Sequence, residues 1–208
     1  MPESYIVKQG DHLSVLAEHF GFHDYRIIWD HPENAELKKL RKNPHVLFPG
    51  DCIIVPDRVV GVETRATDQA HAFVLKKTAL ILRLVVKDFD DLPVAHIDCE
   101  LQIGAALYKL KTDGNGKIQQ EIPKTAQGGT LRIPELGLEM AVNIGHLDPI
   151  TEKSGWCGRL SNLGYHTGEP DDEQLRCAIE EFQCDYELPV TGVMDSATKA
   201  KIEDVHGC

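Results

Sequence analysis

Apolar positions along the chain change period twice, and each change marks a different kind of element. Tyr5-Ile6-Val7-Lys8 reads as a short strand and Gln9-Gly10-Asp11 as a turn. Leu13, Leu16, Ala17 and Phe20 then recur at helical spacing until Gly21 supplies a stop. Asp11 stands where a cap for that helix is expected. Tyr25, Ile27, Ile28 and Trp29 open a second apolar stretch, and Trp29 is expected in the core. Leu37 and Leu40 predict a further helical turn, which Asn43-Pro44 breaks. Phe48-Pro49-Gly50-Asp51 is a turn, and Cys52-Ile53-Ile54-Val55-Pro56 is a closing strand. The order is strand, helix, helix, strand, and the two distant strands must pair to close so small a core.

From residue 80 the period falls to two. Leu80, Leu82, Leu84 and Val86 alternate with Ile81, Arg83, Val85 and Lys87. Further strands are predicted at 96–103, 106–112, 117–122, 130–134 and 138–143. Asp113-Gly114-Asn115-Gly116 predicts a hairpin between two of them. Lys117 stands where a calcium loop would need its next acidic ligand, so the turn reading wins. Asp88, Asp90 and Asp91 read as a loop. Short strands at turn-bounded intervals suggest a small antiparallel β-sandwich. After residue 147 the helical period returns in Leu160, Leu163, Leu175, Ala178, Ile179, Phe182 and Ile202, a small helical bundle. Asp171-Asp172-Glu173 places negative charge at a helix start. Asp195 or Ser196 caps the final helix. The fold class is therefore α+β and multidomain, with units at 3–57, 58–146 and 147–208.

Charge sharpens the picture. The chain has 208 residues and a formal net charge of −11. Residues 1–57 contribute −3, residues 58–150 contribute −1, and residues 151–208 contribute −7. Binding to nucleic acid or an anionic membrane through counterion release is excluded as a main function. No apolar run approaches the roughly 18 residues of a membrane span, and Met1-Pro2-Glu3-Ser4 does not read as a secretion signal. The six cysteines include no CxxC, and free, buried thiols are expected, with a Cys157–Cys208 bridge as the alternative. Cys177 and Cys184 lie ~10.5 Å apart on a helix, too far for a disulfide.

Tyr5-Ile6-Val7-Lys8-Gln9-Gly10-Asp11-His12-Leu13, then Leu16-Ala17, then Phe48-Pro49-Gly50-Asp51, resembles a LysM domain. The resemblance implies a βααβ fold that binds N-acetylglucosamine polymers in a shallow groove. Carried over by position, the glycan-binding residues would be Gly10, Asp11, His12, Leu13, Val46, Leu47 and Phe48, with Phe48 or Trp29 as an apolar platform. Leu160-Ser161-Asn162-Leu163-Gly164-Tyr165, Ala178-Ile179-Glu180-Glu181-Phe182-Gln183 and Leu188-Pro189-Val190-Thr191-Gly192-Val193-Met194-Asp195 with Thr198 resemble a three-helix peptidoglycan-binding domain. The whole order, with Gly145-His146-Leu147-Asp148-Pro149 running into the last unit, is similar to three-domain proteins encoded beside type VI secretion spike and effector genes.

The chemistry points away from catalysis. His206-Gly207-Cys208 resembles an L,D-transpeptidase tripeptide, but no Arg follows and no catalytic domain surrounds it. His19 and His23 share a four-residue spacing without a third ligand, so no metal or cofactor is expected. Two readings of a non-enzymatic binding protein remain. One anchors a secreted effector complex at peptidoglycan. The other is a cytoplasmic adaptor that grips a co-encoded effector or spike protein, with type VI export as its route outward.

Overall fold

A computed structural model describes residues 2–58, 64–72, 79–88, 90, 92–165, 167 and 172–207, without the side chain of Asp172. It is a mixed α/β chain with small antiparallel sheets and a helical C-terminal region.

The N-terminal unit runs β1 (Glu3–Ile6), α1 (Leu13–His19), α2 (Arg26–Trp29), a 3-10 turn at Pro32–Asn34, α3 (Ala35–Arg41) and β2 (Cys52–Val55). The terminal strands pair antiparallel, with Glu3 opposite Val55 and Ile6 opposite Cys52. Val7, Leu13, Leu16, Ala17, Ile28, Trp29, Leu47, Ile53 and Val55 form its core. A buried amide closes the middle. Asn34, 2% exposed, donates to the carbonyls of Ile28 (2.8 Å) and Ile54 (2.7 Å) and accepts from the Ile54 amide (2.8 Å). It thereby fastens α2 to β2, a tie no apolar pattern reveals.

Asp11 does not cap α1. His12 holds the N-cap position in extended geometry and makes no side-chain cap bond. The turn before it claims the Asp11 carboxylate, which accepts from the Tyr5 hydroxyl (2.9 Å) and the Lys8 amide (2.8 Å). Burial first, and then that hydrogen bond, push the Tyr5 hydroxyl up to about 12.

The central unit holds β3 (Leu80–Val85), β4 (Asp98–Ile103), β5 (Ala106–Lys111), β6 (Lys117–Ile122), β7 (Gly128–Ile133) and β8 (Leu138–Asn143). β3 and β6 form one antiparallel sheet, and the other has the order β5-β4-β7-β8. Both sheets feed one core, including Cys99, Leu101, Ile118, Ile122, Leu131 and Ile133.

The predicted hairpin at Asp113–Gly116 needs correction. The chain does reverse there. Asp113 Oδ1 accepts from the amides of Asn115 (2.8 Å) and Lys117 (2.9 Å), and Gly116 adopts φ +71. However, the flanking strands do not pair with each other. β5 pairs with β4, and β6 pairs with β3. Next to the turn, the Thr112 amide bonds the Ile97 carbonyl (3.0 Å) and the Val86 amide bonds the Gly116 carbonyl (2.8 Å). Turn chemistry fixed the reversal but not the partners, and β6 lies in the other sheet, from which Ile118 and Ile122 face the shared core.

The C-terminal unit is α4 (Lys153–Asn162), α5 (Asp172–Asp185) and α6 (Ser196–His206). Trp156, Leu160, Leu175, Ile179, Phe182 and Ile202 form its core. Asp195 caps α6, accepting from the Thr198 amide at 2.8 Å. Asp171 of the predicted acidic helix start lies outside the described residues, as does Asp91 of the predicted loop. No described helix is long and apolar enough to cross a membrane.

Candidate functional site

The residues singled out at the N-terminal unit come from two loops. Gly10 to Leu13 lie where β1 turns into α1, and Val46 to Phe48 lie before β2. Backbone bonds join the loops, from the Leu13 amide to the Pro44 carbonyl (3.2 Å), from the Val7 amide to the Asp51 carbonyl (2.8 Å) and from the Gly50 amide to the Val7 carbonyl (2.9 Å). The two loops are thus brought together, but most of their side chains point inward. Leu13 is 0% exposed, His12 3%, Leu47 5% and Val46 8%. Gly10 is buried too, while Asp11 and Phe48 are half-buried. Trp29, the other candidate platform, is part of the core.

Phe48 is held from two directions. Its amide donates to Asp51 Oδ2 (2.9 Å), and the Arg41 guanidinium lies over its ring, 5.6 Å from the centroid. Arg41 grips Asp51 bidentately, Nε to Oδ2 at 2.8 Å and Nη2 to Oδ1 at 2.9 Å, with both side chains under a tenth exposed. A fork-to-fork pair of this kind fixes geometry as well as adding energy. The same guanidinium reaches out of its unit, to Thr151 Oγ1 (3.4 Å) and Glu152 (3.7 Å).

His12 is the unusual group. Its ring stacks edge-on with His45, centroids 6.0 Å apart, and His45 stacks in turn on Tyr25 at 4.8 Å. Among the described residues neither His12 Nδ1 nor His45 Nδ1 has a hydrogen-bond partner. Burial first, and then the neighbouring His45, hold His12 down at about 4, against a smaller opposing pull from Asp11. Burial also lowers His45. Both rings are therefore neutral near pH 7.

Two glycine-based approaches, unnoticed in the sequence, tie these loops to the far end of the chain. A Cβ built on Gly145 would stand 2.6 Å from the Gly10 carbonyl oxygen and 3.1 Å from the His12 ring. A Cβ built on Gly10 would meet the His146 ring at 3.4 Å. Two cavities of the N-terminal unit lie elsewhere. One of about 350 Å³ is lined by Phe22, His23, Ile27, His31, Pro56 and Arg58, none of them in the candidate set.

In the C-terminal unit a buried glutamine organises the turn before α6. Gln183, 0% exposed, accepts from the amides of Thr191 (2.8 Å) and Gly192 (3.0 Å). Its amide nitrogen donates to Thr191 Oγ1 (3.2 Å), the Val193 carbonyl (3.1 Å) and Thr198 Oγ1 (3.0 Å). The turn this fixes displays Val190 and Val193, 57% and 61% exposed. Arg159, 2% exposed, donates to the carbonyls of Asp148 and Gly155, both at 2.8 Å, and so holds the entry segment against α4. Gln183 directly follows Phe182 in the quoted motif, so its position was visible, but its buried network was not.

The remaining candidates do not assemble. His19 and His23 are exposed, and among the described residues no three His, Cys, Asp or Glu side chains are grouped to hold a metal. His206 bonds Asn162 (3.1 Å), while Cys208 lies outside the described residues, and with it the Cys157–Cys208 bridge. The other five cysteines are free thiols, yet only Cys99 is buried; Cys52, Cys177 and Cys184 are exposed. The expected burial fails for these three because none of them falls on a core-facing position of its strand or helix.

Comparison with known proteins gives one match. Residues 158–202 fit the family model described as "Putative peptidoglycan binding domain". The match begins within α4, takes in α5 and the Gln183 turn, and ends in α6. No curated protein and no solved structure matches the chain. A peptidoglycan-binding domain is therefore present at residues 158–202, within the helical C-terminal region.

Proposed function

We propose that this chain is a non-enzymatic binding protein whose C-terminal unit engages peptidoglycan and whose N-terminal unit is a LysM-like second glycan module. The family match at residues 158–202 carries this reading. The fully bonded Gln183 turn supports it, because a rigid turn with exposed Val190 and Val193 offers the apolar contact and fixed backbone groups that sugar rings use. Gly10, Asp11, His12, Leu13, Val46, Leu47 and Phe48 are the glycan contacts proposed for the N-terminal unit. An association with type VI secretion, loading in the cytoplasm and delivery toward the wall rest on the resemblance of the domain order alone.

A second reading has its own observation. Residues 151–208 carry −7, and Glu181, Glu187, Glu203 and Asp204 are exposed. Such a surface suits a basic effector or spike protein, with the chain as its adaptor.

Co-sedimentation of the full chain with purified sacculi separates the two. Salt of about 0.15 M screens repulsion between the acidic unit and an anionic wall. The peptidoglycan reading expects the protein in the pellet and its release by soluble wall fragments. Protein that stays in the supernatant at low and moderate salt overturns that reading and leaves the adaptor.

A further inference from the structure

The segment joining β8 to α4 passes directly over the N-terminal loops. Gly145 approaches the Gly10 carbonyl and the His12 ring so closely that no side chain fits between them. The His146 ring lies against the open side of Gly10, although the residue as a whole is exposed. Both ends of the segment are anchored. Ile144, 8% exposed, belongs to the core of the central unit. Beyond it, the Asp148 carbonyl accepts from Arg159, and the Asp148 carboxylate accepts from Ser154 (2.6 Å). Gly155 packs so tightly under Pro149 that a Cβ there would lie 1.9 Å from the Pro149 carbonyl oxygen. Arg41 adds a polar tie from the N-terminal unit to Thr151 and Glu152.

The contacts shown on the loops are a glycine, one exposed imidazole and the polar tie of Arg41. Such a contact excludes ligand from the Gly10 backbone but adds little apolar burial of its own, so displacing it costs little. We infer that Gly145-His146 is an internal cover on the N-terminal groove, and that an N-acetylglucosamine polymer binds there only when the cover is displaced. The inference rests on the glycan reading of the N-terminal unit. Because the cover is anchored through Asp148 and Arg159, a load on the C-terminal unit reaches the groove through one short stretch of backbone.

The test titrates the N-acetylglucosamine hexamer into the full chain and into His146→Ala, a truncation at an exposed position that leaves both cores intact. Backbone hydrogen exchange at Gly10–Leu13 is followed on the same samples. Gly145→Val serves as a second variant that wedges the cover away. Uncovering is expected to speed exchange at Gly10–Leu13 and to tighten hexamer binding about tenfold, the factor by which a mostly closed site lowers apparent affinity. Unchanged exchange and equal affinity in all three proteins overturn the cover and leave the glycan reading standing. Faster exchange with no hexamer bound by any form overturns the glycan reading of this unit, and the gate with it.

Discussion

Replacing Gln183 with leucine puts an apolar side chain of similar size in its place and deletes its hydrogen bonds, two accepted by the carbonyl oxygen and two N–H donors shared among three acceptors. A typical protein hydrogen bond contributes about 0.5–1.5 kcal/mol net, and a buried group left without its partner costs about 1–3 kcal/mol. Thr191 is exposed and Gly192 half-buried, so water recovers part of what their amides lose. Thr198 is 1% exposed, so water does not replace the bond its hydroxyl accepts, while the bond that hydroxyl makes to Asp195 remains. With some apolar burial returned by leucine, the loss should be about 2–4 kcal/mol. One core in a unit this small rarely supplies more than ~3–5 kcal/mol, so most of its stability would be gone. Trp156 sits in the same core as Phe182 and reports on it. In a Trp29→Phe background it is the sole tryptophan. With a urea dependence of about 1 kcal/mol per molar, its unfolding midpoint should fall by ~2–4 M, so the emission is red-shifted even without denaturant. A midpoint shift below about 0.5 M would refute the idea that this amide holds the turn, since that equals less than one ordinary hydrogen bond.

Three further outcomes are expected. His12 titrates at about 4 when folded, against 6.5 unperturbed, so the folded state binds fewer protons between those values; its contribution is full above pH 6.5 and is lost as pH falls through about 4. The loss amounts to ~3 kcal/mol, and His12→Gln should flatten the acid limb of the N-terminal urea midpoint, followed by Trp29 emission in a Trp156→Phe background. Gly155→Ala places a Cβ against the Pro149 carbonyl and should destabilise the C-terminal unit by about 1–3 kcal/mol on the Trp156 readout, whereas an unchanged midpoint would mean the segment yields freely. Asp195→Ala removes the side-chain cap at the N-terminus of α6 and should cost about 1 kcal/mol, seen as faster amide exchange at Thr198.

Much of the fold could be read along the chain because it depends on local periods. The alternation from Leu80 to Val86 marked β3, and the Leu13, Leu16, Ala17 spacing marked α1, since each pattern records which face is buried. What stayed hidden were choices among partners. The Asp113 turn announces a reversal, but nothing within it says that β5 and β6 will take different neighbours. Asp11 carries the right side chain for a cap, yet Tyr5 and Lys8 compete for it. The candidate glycan residues were found by position in a motif, and two of them, Gly10 and His12, pack against Gly145, which is 135 residues from Gly10. Gln183, Asn34 and Arg159 are polar residues at core positions, and a hydropathy pattern scores them as surface.

That separation in sequence also sets an order in time. β1 and β2 can pair once Val55 has left the ribosome, whereas Gly145 is made 90 residues later. At roughly 5–20 residues per second, the first unit spends about 5–20 s of its synthesis with Gly10 and His12 uncovered. A nascent chain thus shows its surroundings a surface that the finished protein has folded away.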